Sequence, residues 1–181
     1  LYKIEVLKHF PISRFVTCPY RTCSPKISPD EKWVVFIYDQ EETSGIGISS
    51  LSGYSSPRQL VLGASFYMQP TWHPNGEMIA WAEWDHPHMP WDASRIKVGN
   101  VGGIQVRLFD EQYIDGDDHS AANQPKFSPD GKWLSYIKRK GDWEQLFAVD
   151  VEKHNKKAVV HGETFHVRMP DWIQGLHSYA W

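Results

Sequence analysis

Histidine and carboxylate side chains are concentrated in one short segment that could bind a divalent metal. His86 and His88 are flanked by Asp85 and Asp92, and imidazole and carboxylate groups are common ligands of zinc and similar ions. Two intervening prolines make this segment stiff and extended, so its side chains can instead pack against the neighbouring tryptophans. We favour packing over metal binding and expect no metal here.

A second set of possible metal ligands lies in the acidic stretch 115–119, which reads Asp-Gly-Asp-Asp-His. The order of these residues differs from that of an EF-hand loop. Glycine and aspartate at this density are typical of a turn exposed to water. We therefore predict a solvated loop between two repeats, and we expect no cofactor.

Hydrolase chemistry would need a nucleophilic serine on a tight turn, with a glycine two residues before it and another two residues after it. Three glycines have a serine two positions on, but Leu51, Pro57 and Tyr67 stand where the second glycine belongs. A phosphate-binding Lys-Ser or Lys-Thr loop and a zincin His-Glu-x-x-His pair are also missing from the sequence. We expect no catalytic residue and no enzyme activity in this chain alone.

Charge and hydropathy exclude several classes of partner. The net charge of −3 over 181 residues gives no electrostatic reason to bind nucleic acid or an anionic membrane. No apolar run approaches the roughly 18 residues of a spanning helix.

We expect Cys18 and Cys23 to be reduced and buried, with a local disulfide as the alternative. No signal peptide pattern follows Leu1, and the expected location is cytoplasmic.

A repeat organises the chain. Three copies of a proline-containing turn motif begin at Pro25, Pro70 and Pro125, and an incomplete fourth copy begins at Pro170. The intervals between these prolines are 45, 55 and 45 residues. Pro-Asn-Gly in the second copy and Pro-Asp-Gly in the third favour a hairpin, and the first copy has Pro-Asp-Glu at the same place. Two further strands follow in each period, and four strands per period are typical of a propeller blade. His73 stands where the other copies have serine, so we expect it to cap the turn as that hydroxyl does.

The sequence thus predicts an all-β fold, a β-propeller of four-stranded blades, whose repeats resemble the TolB-like and WD types. We expect a partial propeller of about four blades, in which the recurring tryptophans form the core between blades. Residues 24–62, 69–110 and 124–161 are the predicted whole blades. Residues 1–18 supply the outer strands of one further blade and residues 169–181 the inner strands of another, unless these two ends complete one blade together. Blade edges exposed at the two ends predict self-association.

The ten extra residues of the second period coincide with a distinctive insertion in a loop between strands. Its sequence, Trp-Asp-His-Pro-His-Met-Pro-Trp-Asp, extends from Trp84 to Asp92. Loops are where propellers and other rigid scaffolds carry their binding residues. The candidate contact residues are Trp84, Asp85, His86, His88, Met89, Trp91 and Asp92.

The repeats resemble those of TolB-like and WD-type propellers. The insertion resembles the Trp-Asp-His-Pro-x-Met-Pro-Trp-Asp segment in propellers of the acylaminoacyl-peptidase and dipeptidyl-aminopeptidase branch of the prolyl oligopeptidase family. The segment from Gly141 to Leu146 is similar to that family's pattern as well. This family is one of serine peptidases with a propeller lying over an α/β-hydrolase domain.

The resemblance implies that the parent protein contains a Ser-Asp-His triad in an α/β-hydrolase domain that is absent from this chain. In that family the propeller lets short peptides reach the serine and keeps folded proteins out. We therefore expect a non-catalytic propeller fragment that gates and scaffolds the hydrolase domain, with that domain and peptide substrates as partners in the parent. The alternative is a TolB-like protein-interaction propeller. An enzyme site on the propeller axis would need His and carboxylate residues converging from several blades, which the sequence does not show.

Overall fold

The computed structural model is all-β in the residues that it describes, which are 2–4, 13–15, 20–41, 43–52, 55–160, 166–167 and 173–181. Fourteen strands lie within these ranges, which contain no helix long and apolar enough to cross a membrane. Cys18 and residues 169–172 fall outside the described ranges. Cys23 is a free thiol, and partial burial raises its pKa.

The strands form one antiparallel pair and three antiparallel sheets of four strands, each in chain order. The pair is Tyr2–Ile4 (β1) and Ser13–Phe15 (β2). The first sheet comprises Arg21–Ile27 (β3), Trp33–Gln40 (β4), Thr43–Ser50 (β5) and Arg58–Val61 (β6). The second comprises Phe66–Trp72 (β7), Met78–Trp84 (β8), Arg95–Gly102 (β9) and Arg107–Asp115 (β10). The third comprises Ala122–Phe127 (β11), Trp133–Lys140 (β12), Trp143–Asp150 (β13) and Lys156–Val160 (β14).

The repeated turn between the first two strands of a sheet is held by its own side chains. Ser28 Oγ donates to Asp30 Oδ1 at 2.6 Å and accepts from the backbone N–H of Trp33 at 2.9 Å. The turn at residues 128–133 repeats both contacts at the same distances. These local bonds fix the hairpin, because the serine accepts the first N–H of the returning strand.

In the second sheet His73 takes the place of the turn serine, but its ring contacts Asn75 rather than the first N–H of the returning strand. Its Nδ1 lies 2.6 Å from Asn75 Oδ1 and 3.2 Å from the backbone nitrogen of Asn75. Its Nε2 lies 2.9 Å from the carbonyl oxygen of Gly131, in the corresponding turn of the third sheet. The ring also meets Phe127 edge-on, with centroids 4.9 Å apart. Histidine therefore joins two neighbouring turns, which a serine side chain is too short to do.

The core lies between neighbouring sheets, and the second sheet is covered on both faces. Ile79 and Trp81 pack towards the first sheet, whereas Ala80 and Ala82 pack towards the third. This division follows from the alternation of side chains along a strand. A strand buried on both faces is expected to be largely apolar, and β8 is apolar at every position except Glu83. The prediction that recurring tryptophans form the core between sheets is confirmed for Trp72 and Trp81.

Each inner strand carries a β-bulge just before its first proline. Ser24, Gln69 and Gln124 have φ values of 50°, 55° and 55°, and the strand register shifts at each of them. Proline has no N–H to donate to the neighbouring strand, so the pairing is interrupted at this point. The bulge brings the three side chains to the free edges of β3, β7 and β11.

Residues 173–181 contain no strand, although the sequence predicts inner strands over 169–181. They lie instead across the inner strands of the three sheets and hydrogen-bond to β3, β7 and β11. We call residues 173–181 the C-terminal segment. Its contacts are made mainly through side-chain amides and hydroxyls rather than through a regular ladder.

Candidate functional site: the insertion and the inner strand edges

The insertion lies at one end of the second sheet. Because each sheet is an antiparallel meander, its connections alternate between two ends. The turns at 28–32, 73–77 and 128–132 form one end, which we call the hairpin face. The connection from β8 to β9, residues 85–94, contains the insertion and lies at the opposite end, the insertion face. The connections between sheets, residues 62–65 and 116–121, lie at the insertion face as well.

Asp85 closes the start of the insertion. Its carboxylate accepts hydrogen bonds from the backbone N–H of Ser65 at 2.9 Å and from Arg95 Nη2 at 2.5 Å. Partial burial raises the pKa of Asp85, but the hydrogen bonds from Arg95 and Ser65 outweigh burial and leave the pKa below its ordinary value. Asp85 therefore ties the insertion to β9 and to the preceding connection.

The end of the insertion is bonded to the third sheet. Ser94 Oγ lies 2.9 Å from the carbonyl oxygens of both Pro90 and Ala122. Asn123 Nδ2 donates to the Pro90 carbonyl at 3.2 Å, and the Ala122 N–H donates to the Ser94 carbonyl at 3.0 Å. Gly116 lies against this junction, and a Cβ there would come within 2.0 Å of the Ser94 oxygen. The insertion thus connects the second sheet to the third.

We call Trp84, Asp85 and Ser94 the base of the insertion and residues 86–92 its tip. The base is packed against the sheets, and the tip is more exposed. Trp84 is buried and stacks on Phe66 with ring centroids 5.4 Å apart. The side chains at the tip are exposed or half-buried, and the tip includes a cis peptide bond between residues 86 and 87. The exposed candidates are His86, Met89 and Asp92, and the half-buried ones are Asp85, His88 and Trp91. Across the described ranges, no group of three or more His, Cys, Asp or Glu side chains is arranged to hold a metal.

Sequence reasoning missed a buried carboxylate at the boundary between the second and third sheets. Asp115 accepts hydrogen bonds from Lys156 Nζ at 2.6 Å, Lys138 Nζ at 2.7 Å, Tyr136 Oη at 2.7 Å and the Gly116 N–H at 2.9 Å. Burial raises the pKa of Asp115, but these donors lower it to about 2. The prediction of a solvated loop over 115–119 is therefore wrong for Asp115 and right for residues 117–119, which are exposed.

A second buried carboxylate, Glu83, lies on β8. It accepts hydrogen bonds from Trp81 Nε1 at 2.8 Å and from Lys97 Nζ at 2.9 Å. Lys97 also contacts Glu111 at 2.6 Å. The signal in the sequence is an acidic residue within the apolar run of β8, which a buried strand tolerates only when the charge has partners. Both carboxylates are structural, since their oxygens are occupied by donors from neighbouring strands.

The inner strand edges form a second candidate surface, in which two glutamine side chains hold main-chain atoms. The Gln124 N–H donates to Gln69 Oε1 at 2.7 Å. Gln69 Nε2 donates to the carbonyl of Leu176 at 3.1 Å, and the Ser178 N–H donates to Gln124 Oε1 at 2.8 Å. Gln69 and Gln124 are 2% and 0% exposed. These equivalent residues therefore present fixed donors and acceptors to the backbone of the C-terminal segment.

The hairpin face carries a groove of about 600 Å³ between the second and third sheets. Acidic and basic side chains both line it, among them Glu77, Asp130, Lys132 and Lys153. Ser128 and Lys132 already hydrogen-bond to Asp130. Among the residues that the structure describes, no three of the acidic and histidine side chains that line this groove are arranged to hold a metal.

The chain is similar in structure to solved peptidases. A puromycin-hydrolyzing peptidase of Mycobacterium tuberculosis matches 84% of this chain and 25% of its own length, with 25% sequence identity and a TM-score of 0.73. A puromycin hydrolase matches 96% of this chain and 29% of its own length, with 23% identity and a TM-score of 0.80. TolB from Acinetobacter baumannii matches 83% of this chain and 34% of its own length, with 16% identity and a TM-score of 0.60.

The chain spans about a quarter to a third of the length of these structures. No protein-family model matches the chain, and no curated protein matches it. The solved structures that it matches include members of the prolyl oligopeptidase family as well as TolB. The predicted resemblance to the propeller domain of that peptidase family, with TolB-like repeats, is confirmed.

Proposed function

We propose that this chain is part of the non-catalytic β-propeller of a serine peptidase of the prolyl oligopeptidase family. In this proposal it gates access to, and scaffolds, an α/β-hydrolase domain elsewhere in the parent protein. Residues 24–62, 69–110 and 124–161 are three whole blades of a propeller with about four blades in this chain. The parent acts on peptides in the cytoplasm.

One observation carries the proposal. The match to a puromycin-hydrolyzing peptidase reaches 25% identity over 84% of this chain. It is supported by the insertion, whose sequence resembles that of peptidase propellers and whose base holds two sheets together through Ser94 and Asn123. The insertion therefore favours a peptidase propeller over a TolB-like interaction propeller.

A gate that works by exclusion needs a rigid wall and no catalytic side chain. The contacts between the second and third sheets supply such rigidity. They include the charged hydrogen bonds of Asp115, the bond from His73 to the next turn and the base of the insertion. Opening a gap between these sheets would break all of these contacts at once.

The test of the proposal is the parent protein. Its reading frame should continue for roughly 250 residues that contain Gly-x-Ser-x-Gly, and a fluorophosphonate probe should label the parent but not this chain alone. The parent should hydrolyse short peptides faster than the same sequence inside a folded protein. A parent without a hydrolase domain, or labelling of this chain, would contradict the proposal.

The second candidate function is a TolB-like propeller that binds protein partners. It is favoured by the match to TolB with a TM-score of 0.60. Labelling of the parent by the serine probe distinguishes the two functions. A TolB-like parent would bind a protein partner and would not be labelled. Location is tested separately by fractionation of cells that produce the parent.

A further inference from the structure

We infer that the inner strand edges form a binding site for the main chain of an extended peptide that carries a carboxylate. The site comprises Gln69 and Gln124, which bind main-chain atoms, and Lys26 and Lys126, which bind the carboxylate. In this structure the C-terminal segment occupies the main-chain part of the site. The inference goes beyond the gating function and does not depend on a hydrolase domain.

The glutamines are preorganised for this task. Both side chains are buried, and the bulge before each proline sets their position on the strand. Gln69 is oriented by the N–H of Gln124, which leaves its amide nitrogen to bind the carbonyl of Leu176. Gln124 Oε1 accepts from the N–H of Ser178. Leu176 is held by its carbonyl, so another residue can take its place, whereas Gln124 Nε2 also donates to Ser178 Oγ at 3.3 Å and so favours a hydroxyl at the second position.

The two lysines supply a positive charge that no described carboxylate balances. Lys26 and Lys126 occupy the same repeat position on β3 and β11 and are half-buried. Neither forms an ion pair within the described ranges, and Lys126 Nζ donates to the carbonyl of Tyr179 at 2.9 Å. Partial burial and the charge of Lys26 lower the pKa of Lys126. The positive charges of Lys26 and Lys126 repel each other, and an anion bound near both would reduce this repulsion.

His177 lies between Leu176 and Ser178, the two residues whose backbone atoms bind Gln69 and Gln124. Partial burial, then Lys126, then Lys26 lower the pKa of its imidazole. The ring is therefore more fully neutral near pH 7 than an ordinary histidine, and a neutral imidazole can still donate one N–H to an anion. Two partly desolvated lysines and a nearby donor are suited to a carboxylate.

Polar contacts account for most of the attachment of the C-terminal segment, and Tyr179 adds a half-buried ring whose hydroxyl donates to the Gln124 carbonyl at 2.6 Å. The segment's bonds to the inner strands are polar, including those from Gln174 to Ser24 and to the carbonyl of Tyr67. Its apolar side chains Ile173, Leu176 and Trp181 are instead 63%, 37% and 55% exposed. Apart from the half-buried Tyr179 ring, little hydrophobic burial opposes its release. A peptide in solution must nevertheless compete with a tethered segment at high effective concentration.

The probe for the test is a fluorescein-labelled Gly-Ser-Ala-Ser-Gly peptide in three forms, with binding to the full chain measured by anisotropy. One form has a free C-terminal carboxylate, one a C-terminal amide, and one an amide with a glutamate at the fourth position. We expect a carboxylate form to bind about tenfold more tightly than the plain amide, as a charge-assisted hydrogen bond would give. Which carboxylate form binds identifies a chain terminus or an acidic side chain as the anion.

Two sets of variants test the assignment of residues. K26Q/K126Q should abolish the preference for a carboxylate, whereas K132Q/K153Q, on the hairpin face, should keep it. Gln174→Ala removes two bonds of the C-terminal segment and none of the site, so it should increase the affinity of the carboxylate peptide severalfold. A site that served only to fix the segment would show no such increase.

Equal binding of all three peptides to the unmodified chain would overturn the inference, and so would an unchanged preference in K26Q/K126Q. Should that variant fail to fold, hydrogen exchange of the unmodified chain decides the question. The amide of Ser178 should exchange faster when the carboxylate peptide is added and stay protected with the plain amide. Identical protection in both samples would contradict displacement of the segment.

Discussion

At the scale of residues, Asp115 joins the second and third sheets through charged hydrogen bonds. Its partners Lys138 and Lys156 lie on β12 and β14, and Tyr136 lies on β12. A buried carboxylate is costly unless donors surround it, and loss of one member leaves the others unpaired in a poorly hydrated place. Asp115 and its three partners therefore act as one unit.

We predict that Asp115→Asn lowers the free energy of unfolding by about 2 to 3 kcal/mol. This is less than a fully buried pair would lose, since the Lys138 and Lys156 side chains are 23% and 37% exposed. Urea unfolding followed by tryptophan fluorescence measures the change. Asp117→Asn, an exposed neighbour, is the matched control and should stay within about 0.5 kcal/mol of the unmodified chain. An equal loss in both variants would contradict the role of Asp115.

Lowering the pH should remove the stabilisation that Asp115 provides. The pKa of Asp115 is lowered from 3.8 to about 2 in the folded chain, so the folded state binds fewer protons than the unfolded state as the pH falls through this range. Its stabilisation is present above about pH 4 and is lost between pH 4 and 2, which amounts to about 2 kcal/mol. Unfolding at a series of pH values should show a steeper loss for the unmodified chain than for Asp115→Asn, and parallel curves would refute this.

At the scale of elements, the insertion is a loop whose base is structural and whose tip is accessible. Asp85 pairs with Arg95 at one end, and Ser94 bonds to Pro90 and Ala122 at the other. Binding residues on such a loop are held in place by the rigid base. The contact function predicted for the whole insertion is therefore proposed for its tip.

Gly116 is where this base is most sensitive to substitution. It has a φ of +92°, and a Cβ would lie 2.0 Å from the backbone oxygen of Ser94. We predict that Gly116→Ala costs more than about 2 kcal/mol of unfolding free energy, because backbone atoms must move. Gly141→Ala is the control, since its φ is +63° but nothing lies within 4 Å of its Cβ. It should cost about 1 kcal/mol, from the left-handed backbone alone.

Thermal unfolding of both variants measures the difference. Hydrogen exchange should also show loss of protection at the amide of Ala122 in Gly116→Ala, because its bond to the Ser94 carbonyl would break. Equal effects of the two alanine substitutions would show that the short distance between residue 116 and the Ser94 backbone oxygen does not affect stability.

At the scale of the whole molecule, three sheets each expose an outer strand. On β14 the side chains of Val159 and Val160 are 50% and 37% exposed. Unpaired strand edges with apolar side chains favour association with other chains. The chain by itself therefore has an edge through which two copies can pair.

We predict that the average mass of the chain in analytical ultracentrifugation rises with concentration, and that Val159→Lys reduces this rise. A lysine on an edge strand opposes pairing through its charge and its hydration. Ile104→Lys is the matched control, because Ile104 is equally apolar and fully exposed but lies in a turn. Its association should equal that of the unmodified chain. A monomer at all concentrations would contradict the prediction.

The amino-acid sequence by itself determines the parts of this protein that depend on neighbouring residues. The all-β class, the hairpins at the three turn motifs and the replacement of serine by His73 were predictable, because proline, aspartate and glycine act on the few residues beside them. The resemblance to peptidase propellers was predictable from the motifs. The insertion was visible as ten extra residues, but its division into base and tip was not.

Tertiary structure alone decided which polar residues are buried and which distant residues meet. Asp115 lies in an acidic, turn-like stretch, and only the lysines of β12 and β14 make its burial possible. The C-terminal segment meets Gln69 and Gln124 from more than 50 residues away. Contacts at this separation depend on how sheets pack against one another, and side-chain pairing between sheets leaves no periodic signal in the chain.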